Sequence, residues 1–576
     1  MSDDPLTSEL RLIEAAALPL PQAPHPWSFT RPHQAPPRAS QDDPSGAAWR
    51  EAAHEVVEHH DRALGRQGRP SGAIYTPRAL AQAMVGWALD QAPAAGPLRV
   101  LEPGCGAGRL LIPLVAGLLR RGMTPQAVLE AIEAEEIDEG AAAVARRVVW
   151  LALEGRVGWP LEPDPVVVAD SLSPERVARE GFAVVIGNPP YVFGEGLSEE
   201  RREELERFEL ARAGGVDLFR LFIEATLTRV RPGGVHALLV PDALLARDAL
   251  ADVRRWYLER ARLLGVGRCG RPFRAATPGG GRRVVGTGAA LVIGRRVGGA
   301  SAEGAPDVLV RRWSGRRFDA GRRLAAEAVP RTGAPWPVAA PSWWFGPSGL
   351  KARLEEGGAR VADVLLEGAS GATRGEEVGR RALEPLGEGR VAVLTGREVG
   401  RMAVARARLG MAAEAARKPQ AIYAGPRALV IKTGSTPVAA ADSGSAIVLQ
   451  SVYVLHTAPG GPWDPWTLAA TLASAWLGCY ALFRWTAVKA VQPQMTLGNV
   501  RALPLPPRLD FATLRPIARR LHQLAPDDEG RAALERRCDQ LVGEGFGVTL
   551  QEWAPRLRAA LAPLPATQRP AWCGAG

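Results

Sequence analysis

Short apolar runs alternate with stretches of helical periodicity between about residues 97 and 295 of the chain. The runs that predict buried strands are Leu98–Leu101, Ala131–Ile137, Val166–Ala169, Phe182–Ile186, Val235–Val240 and Ala289–Ile293. The segments between them with helical spacing include Gly108–Arg121, Ala141–Leu153 and Leu218–Val230. Strands that alternate with helices predict a doubly wound, Rossmann-like α/β domain, because parallel strands need crossover connections.

The pattern changes on both sides of this region. Proline, serine, glutamine and aspartate without periodicity predict a disordered tail at the start of the chain, and a segment rich in Gly, Arg and Pro predicts a linker after the α/β domain. Short strands with many turns follow, and then helices. The expected organisation is a tail at 1–47, an α/β domain at 48–298, a linker at 299–339, an α+β domain at 340–510 and a helical segment at 511–576.

Composition narrows the class of protein. The 576 residues are 46% hydrophobic, enough for two or three domains. The five cysteines form no Cys-x-x-Cys pair, so we expect no metal site and no disulfide framework. The first residues are polar and no apolar run is long enough to span a bilayer, so we expect a cytoplasmic protein. A net charge of +10 favours a polyanionic partner, although the excess of arginine over lysine is also what high-GC coding produces.

The most informative motif follows the fourth predicted strand. Phe182–Ile186 runs through Gly187 into Asn188-Pro189-Pro190-Tyr191. The two prolines stiffen the backbone and leave mainly carbonyl groups exposed. An amide side chain, rigid carbonyls and an aromatic ring at the carboxyl end of a strand suit a planar, NH2-bearing group. The motif therefore predicts methyl transfer onto a planar nitrogen.

A glycine loop follows the first predicted strand. Gly104, Gly106 and Gly108 stand at alternate positions before a helix, a spacing that permits a tight turn and close approach of a ligand. Glu102 lies two residues before the first glycine and suits a cationic amino acid group better than a pyrophosphate. The alternative is a glycine loop with a purely structural role.

Acidic residues end the next two predicted strands. Glu136 can accept both hydroxyls of a ribose, with Ile137 beside an adenine ring, and Asp170 can accept from an adenine amino group. The alternatives are a solvated acidic helix start for Glu136 and a helix cap for Asp170.

These motifs occur in the order found in S-adenosylmethionine-dependent methyltransferases. Together with Tyr75-Thr76-Pro77 before the glycine loop, they make the chain resemble the TaqI-like, gamma-order family of adenine-N6 DNA methyltransferases. Further matches are Asp217-Leu218-Phe219 and Pro232-Gly233-Gly234, and the resemblance covers roughly residues 48–560. We read Thr76 as the N-cap of the following helix and Pro77 as its first residue.

The resemblance implies a fold, a cofactor and roles for individual residues. Tyr75, Thr76 and Pro77 would line the methionine pocket of S-adenosylmethionine. The side-chain oxygen of Asn188 and the carbonyl of Pro189 would accept from the amino group of an adenine flipped out of duplex DNA, and Tyr191 would stack on the base. Carbon methylation of cytosine is disfavoured because no cysteine lies in this loop.

The C-terminal half resembles the specificity region of the same family. Arg427–Lys432, Gln492-Pro493-Gln494 and the helices after residue 530 carry this part of the resemblance. Tyrosines common in those helices are replaced by Gly543 and Gly545. Phe273 is the candidate for a second stacking aromatic, in an arginine-rich loop that is otherwise a solvated basic turn. The candidate DNA contacts, each equally an ordinary surface residue, are Arg271, Arg274, Arg374, Arg397, Lys432, Lys489, Gln492 and Gln494.

The function expected from the sequence is site-specific methylation of adenine N6 in restriction-modification, phage defence or epigenetic marking. Its partners would be double-stranded DNA and a separate restriction endonuclease or defence subunit. Enzymes that methylate RNA bases or protein glutamine share the Asn-Pro-Pro-Tyr loop, and a non-catalytic DNA-binding subunit would keep the fold. The sequence specifies neither the recognition site nor the oligomeric state.

Overall fold

A computed structural model of the chain describes residues 46–67, 76–191, 197–214, 217–276, 282–284, 288–298, 307–336, 338, 340–344, 348–368, 371–378, 382–486, 493–525 and 527–573. It divides into two compact units, Met1–Val338 and Ala339–Gly576. The predicted tail at 1–47 lies almost wholly outside the described residues.

The first unit is built on a nine-stranded sheet with a separate two-stranded hairpin. The strands in chain order are β1 Val100–Pro103, β2 Ile132–Glu136, β3 Val166–Val168, β4 Phe182–Gly187, β5 Val230–Pro241, β6 Ala261–Gly270, β7 Arg274–Ala276, β8 Arg282–Val284, β9 Ala289–Arg296, β10 Val308–Arg312 and β11 Arg322–Leu324. The sheet order is β11-β10-β6-β9-β5-β4-β1-β2-β3, and β7 pairs with β8.

The order of the strands places a crevice between β1 and β4. Strands β1 to β5 are mutually parallel, and β9 is antiparallel to both β5 and β6. The chain moves outward from β1 through β2 to β3, then returns to the other side of β1 as β4. In open α/β sheets ligands bind at such a switch point, outside the carboxyl ends of the strands. The prediction of a doubly wound α/β domain is confirmed.

Helices cover this sheet. They are α1 Ala47–Gln67, α2 Arg78–Asp90, α3 Leu111–Arg120, α4 Pro125–Ala131, α5 Glu139–Ala152, α6 Pro174–Val177, α7 Glu199–Leu205, α8 Glu209–Gly214, α9 Leu218–Leu227 and α10 Ala251–Arg260. The core lies between the sheet and α1, α2, α3 and α5, where apolar side chains from all of them are buried. Parallel strands covered in this way explain the near-continuous apolar runs in the sequence.

Two local predictions are wrong. The predicted linker at 299–339 contributes β10 and β11 to the sheet, and the Phe318 ring packs edge-on against Trp87 at 5.4 Å and Trp313 at 5.1 Å. A short apolar strand in a Gly- and Arg-rich context gives little periodic signal, so composition alone was misleading. Helix α2 begins one residue later than expected, with Pro77 rather than Thr76 at its N-cap.

The second unit combines sheets and helices. Its strands are β12 Ala372–Arg374, β13 Glu384–Pro385, β14 Val391–Leu394, β15 Val399–Gly400, β16 Ala403–Val404, β17 Leu409–Met411, β18 Arg427–Ile431, β19 Ala439–Asp442, β20 Ile447–Val448 and β21 Val452–Leu455. They form sheets in the orders β12-β21-β18-β19, β13-β17-β14-β20 and β15-β16. The helices are α11 Leu350–Glu355, α12 Pro465–Leu472, α13 Ala475–Ala481, α14 Leu497–Arg501, α15 Phe511–Gln523, α16 Arg531–Gly545 and α17 Leu550–Leu561.

The C-terminal helices are part of this unit's core rather than a separate segment. Buried side chains from α15, α16 and α17 pack with those of α12, α13, β18 and β21 in one cluster. No single helix in the described part of the chain is long and apolar enough to cross a membrane. The pair Pro465–Leu472 and Ala475–Trp485 passes on length and composition together but bends by 59°.

Candidate functional site

A glycine brings the ends of β1 and β4 together. A Cβ added at Gly187, the last residue of β4, would lie 3.3 Å from the carbonyl oxygen of Pro103, the last residue of β1. That separation is tighter than ordinary van der Waals contact, so a side chain here would push the strands apart. Because Gly187 has no side chain, Asn188 lies directly beside the start of the glycine loop.

The glycine loop has the backbone of a ligand cradle. Gly104, Gly106 and Gly108 have φ values of +65°, +56° and +84°, in the left-handed region that favours glycine. Glu102, just before the loop, is 2% exposed, and its Oε2 atom is buried without a hydrogen-bond partner in the described residues. Burial and the negative charge of Glu136 raise the pKa of Glu102 well above its usual range. A buried carboxyl oxygen without a donor among the described residues is consistent with a site for a cationic group.

Strand β2 sends two neighbouring carboxylates to opposite faces, as the two-residue period of a strand requires. Glu135 is fully buried and is bound by Arg229 at 2.7 and 2.9 Å and by Arg176 at 2.6 Å, which is a structural role. Glu136 accepts from the backbone N–H of Gly106 at 2.7 Å, so it lies against the glycine loop. Ile137 is 68% exposed, unusual for a large apolar residue, and this leaves an apolar surface beside Glu136.

Asp170 follows β3 and is held by two donors. Its Oδ1 atom accepts from the backbone N–H of Leu172 at 2.9 Å, and its Oδ2 atom is bonded by the guanidinium of Arg201 on α7. The bond to Leu172 is the local turn expected of an aspartate that ends a strand. The bond to Arg201 comes from a helix beyond the Asn188–Tyr191 loop, and nothing in the sequence pattern indicated it.

The side chain of Asn188 is oriented by Thr76. The Asn188 Nδ2 donates to the Thr76 hydroxyl at 3.2 Å, and Thr76 is 4% exposed. This contact explains why Thr76 does not cap α2. The amide oxygen Oδ1 is then the end directed away from Thr76, and it too is buried. The remaining member of the segment, Tyr75, lies outside the described residues.

Tyr191 is fixed at both its hydroxyl and its ring. The hydroxyl donates to the carbonyl of Leu239 on β5 at 3.0 Å, and the ring meets Phe273 edge-to-face with centroids 5.7 Å apart. Burial raises the pKa of Tyr191 well above its usual range, so the phenol stays neutral. Phe273 is itself completely buried, so its contact in this structure is with Tyr191, and its role as a second stacking face stays a prediction.

The remaining basic candidates of the first unit are partly described. Arg271 is exposed and lines a cavity of about 480 Å³ together with Thr76, Arg109 and Trp313. Arg274 lies in β7, but its side chain is outside the described part. The structure brings Arg271 and Thr76 to the same cavity and does not place Arg274.

Four predicted contacts of the second unit lie in segments at or near one turn, Gln450-Ser451. Arg374 donates to the side chain of Gln450 at 2.7 Å. The carbonyl of Ser451 accepts from the backbone N–H of Lys432 at 2.8 Å, and its hydroxyl accepts from the backbone N–H of Gly396, the residue before the exposed Arg397, at 3.1 Å. Gln494 joins through a bridge with Thr433. Lys489 and Gln492 lie outside the described residues. We call Arg374, Arg397, Lys432, Gln450 and Gln494 the 450 surface.

The arrangement of the first unit fits S-adenosylmethionine, the cofactor that the resemblance implies. The carboxyl of Glu102 suits its cationic amino group, Glu136 its ribose hydroxyls and the exposed Ile137 its adenine. The glycine loop leaves backbone room between them. Within the described residues no cluster of His, Cys, Asp or Glu that could hold a metal ion is found.

Comparisons with known proteins agree with this geometry. Residues 132–266 match the model of the Eco57I restriction-modification methylase, a range that includes Glu136, Asp170 and Asn188–Tyr191. The chain is 32% identical over 137 residues to the type II methyltransferase M.XamI of Xanthomonas campestris pv. amaranthicola, covering 24% of this chain and 23% of that protein. It is 26% identical over 211 residues to M.BanIII of Aneurinibacillus aneurinilyticus, covering 34% and 35%.

Some solved structures are similar over most of the chain. The type IIL restriction-modification enzyme MmeI, in complex with DNA, aligns with 90% of this chain and 76% of its own at a TM-score of 0.53 and 11% identity, which shows a shared fold. The chain spans only about a quarter to a third of the length of the curated relatives that it matches. Methylases of this type use S-adenosylmethionine. Residues 132–266, which carry Glu136, Asp170 and the Asn188–Tyr191 loop, are therefore similar to a restriction-modification methylase.

Proposed function

We propose that the protein transfers a methyl group from S-adenosylmethionine to N6 of an adenine in duplex DNA, at a specific sequence. The observation that carries the proposal is the contact between Asn188 and Thr76. In this structure the amide NH2 group faces Thr76, and the amide oxygen faces away from it at the carboxyl end of β4. An amino group donates hydrogen bonds, so an acceptor oriented toward it can hold it in place.

The protein's own groups would raise the reactivity of that nitrogen. The lone pair of an exocyclic amine is delocalised into the ring, so the nitrogen is a weak nucleophile. Two acceptors, the Asn188 Oδ1 and the Pro189 carbonyl, would bind its two N–H groups and localise the lone pair. S-adenosylmethionine supplies the electrophilic methyl group. Catalysis of this kind depends on positioning and electrostatics rather than on a strong base.

The target base must leave the helix to reach these acceptors. Tyr191 follows the two prolines and is immobilised through Leu239 and Phe273, so its ring is a preformed surface for stacking. A rigid aromatic recovers part of the energy lost on unstacking, about 1–3 kcal/mol per base.

The 450 surface supports a nucleic acid as the substrate over a protein glutamine. It gathers Arg374, Arg397, Lys432 and two glutamines, donors that suit phosphate oxygens and base edges. A protein glutamine carries no phosphate, so a methyltransferase acting on it would not require such a surface on its second unit. In a restriction or defence system, a separate endonuclease or defence subunit would act on the same sites.

The test is transfer of a tritiated methyl group to duplex DNA, structured RNA and denatured protein. We expect incorporation into DNA alone, recovered as N6-methyladenine after digestion and mass spectrometry. Recovery as N4- or C5-methylcytosine would contradict the adenine assignment. Label in RNA or protein but not in DNA would contradict the substrate class. Asn188→Ala is the matched control and should leave cofactor binding measurable by calorimetry.

A further inference from the structure

The helix that follows the catalytic loop is tied to the turn after β3. Arg201 on α7 bonds the Oδ2 atom of Asp170 and also pairs with Glu204 on its own helix. Arg207, just beyond α7, bonds the carbonyl oxygen of Leu172. Two arginines therefore join this segment to both sides of the Asp170 turn.

An apolar cluster extends the same connection to the glycine loop. Leu205 of α7 and Phe208 are buried with Leu172 and Phe222. A Cβ at Gly104 would lie 3.8 Å from the Phe222 ring, so this cluster borders the cradle. Helices α7 and α9 thus lie beside both the Asp170 turn and the glycine loop.

The carboxylate of Asp170 can accept a third hydrogen bond beside those from Leu172 and Arg201. An ionised carboxylate has about four lone-pair positions. Leu172 N–H uses one position on Oδ1 and the guanidinium of Arg201 uses Oδ2. Asp170 is only 24% exposed, so its charge is stabilised by a cation at close range rather than by water alone. The remaining positions can accept from an adenine amino group.

We propose that Arg201 is a positioning residue for cofactor recognition: it holds the Asp170 carboxylate oriented to accept from the 6-amino group of the cofactor's adenine. This inference rests on the proposed function, since it assigns the adenine to Asp170. It links the helix after the catalytic loop to the identity of the cofactor's base.

The test is calorimetric binding of S-adenosylhomocysteine and of S-inosylhomocysteine, whose 6-oxo group cannot donate to Asp170. The wild-type protein should prefer the adenosyl compound, and Arg201→Ala should weaken its binding about tenfold, the size expected for a hydrogen bond to a charged group. Binding of the inosyl compound should change little. Arg201→Lys should recover part of the preference, and Arg202→Ala, at the exposed neighbouring position on α7, should match the wild type.

The outcomes separate this inference from the proposed function. Failure of the wild-type protein to bind S-adenosylhomocysteine would count against the proposed function itself. Normal wild-type binding with an unchanged preference in Arg201→Ala would overturn the role of Arg201. Tighter binding in Arg201→Ala would also overturn it, because Arg201 would then compete with the cofactor. Equal weakening for both compounds would indicate a merely structural contact, and urea unfolding of each variant identifies loss of folding.

Discussion

At the scale of single residues, the amide of Asn188 has two ends of opposite polarity, and its NH2 group lies against the hydroxyl of Thr76 while its oxygen faces away. A flipped amide would present a donor to an amino group and repel it. Under the proposed function Thr76 would support the orientation of this amide, although the sequence pattern predicted a helix cap there.

Thr76→Val keeps the shape of the side chain and removes the hydroxyl. We expect the turnover rate to fall about tenfold, the cost of one neutral hydrogen bond of about 1–1.5 kcal/mol, with folding stability nearly unchanged. Thr76→Ser should retain most of the rate. Single-turnover methylation measures the effect, and a valine variant as fast as the wild type would show that Asn188 is oriented by other contacts.

The raised pKa of Glu102 leads us to expect that cofactor affinity depends on pH. Its pKa is raised by burial and by Glu136, so a fraction of the carboxyl is protonated at mildly acidic pH in the free protein. A cationic amino group favours the ionised form, so binding releases a proton and becomes tighter as pH rises through this pKa, by up to about tenfold per unit.

Calorimetry between about pH 5 and 7 measures this effect, since that range lies above the ordinary pKa of a glutamate. Glu102→Gln is the isosteric control and should bind more weakly with a flat pH profile. An equally steep profile in Glu102→Gln would assign the proton to another group.

At the scale of elements, two glycines in α16 stand where the related family commonly has tyrosine. A Cβ at Gly543 would lie 2.6 Å from the ring of Trp476, and one at Gly545 would lie 2.7 Å from the carbonyl oxygen of Arg508. Trp476 is fully buried and donates to the carbonyl of Asp539 at 2.6 Å, so it cannot move aside easily. The indole of α13 therefore excludes any side chain at Gly543.

The substitution Gly543→Ala has two opposing effects on the free energy of unfolding. Alanine gains about 1 kcal/mol of helix propensity, whereas overpacking a filled core costs about 1–3 kcal/mol. Because Trp476 is fixed, we expect a net loss of about 1–2 kcal/mol in the free energy of unfolding by urea. Gly86→Ala in α2, with no atom within 4 Å of the added Cβ, should gain stability instead. A stabilised Gly543→Ala would mean that the indole relaxes.

Much of the first unit could be predicted from the sequence because its strands are buried on both faces and end in residues of distinctive chemistry. Glu102, Glu136 and Asn188 follow from position at the carboxyl edge of a parallel sheet. Contacts between distant segments could not be predicted, since Arg201 bonding Asp170 or Gln450 bonding Arg374 leaves no periodic signal. The β10–β11 pair was missed because its composition resembles a linker.

At the scale of the whole molecule, the boundary between the two units at 338 and 339 predicts how the chain can be divided. A chain ended after Val338 should fold and bind S-adenosylhomocysteine but should no longer methylate a specific sequence. A chain ended after Gly298 removes β10 and β11, leaves β6 unpaired on one side and should fail to fold. Circular dichroism and calorimetry test both, and a 338 truncation that still methylates one motif would refute recognition by the second unit.

The 450 surface gives a finer test within the full chain. Arg397→Ala and Lys432→Ala should each weaken DNA binding, with a smaller salt dependence, while leaving cofactor affinity unchanged. Arg556→Ala on α17, an exposed arginine paired with Glu552, is the control. Unchanged affinity in both surface variants would place the DNA contacts elsewhere.

Long-read sequencing of DNA from cells that express the protein tests its central chemistry most directly, because it reports base, position and sequence context together. The geometry of the Asn188 loop predicts N6-methyladenine at one recurrent sequence in cells with the wild-type protein and none with Asn188→Ala. Unmodified DNA in both, or the same marks in both, would contradict methylation of adenine by this loop.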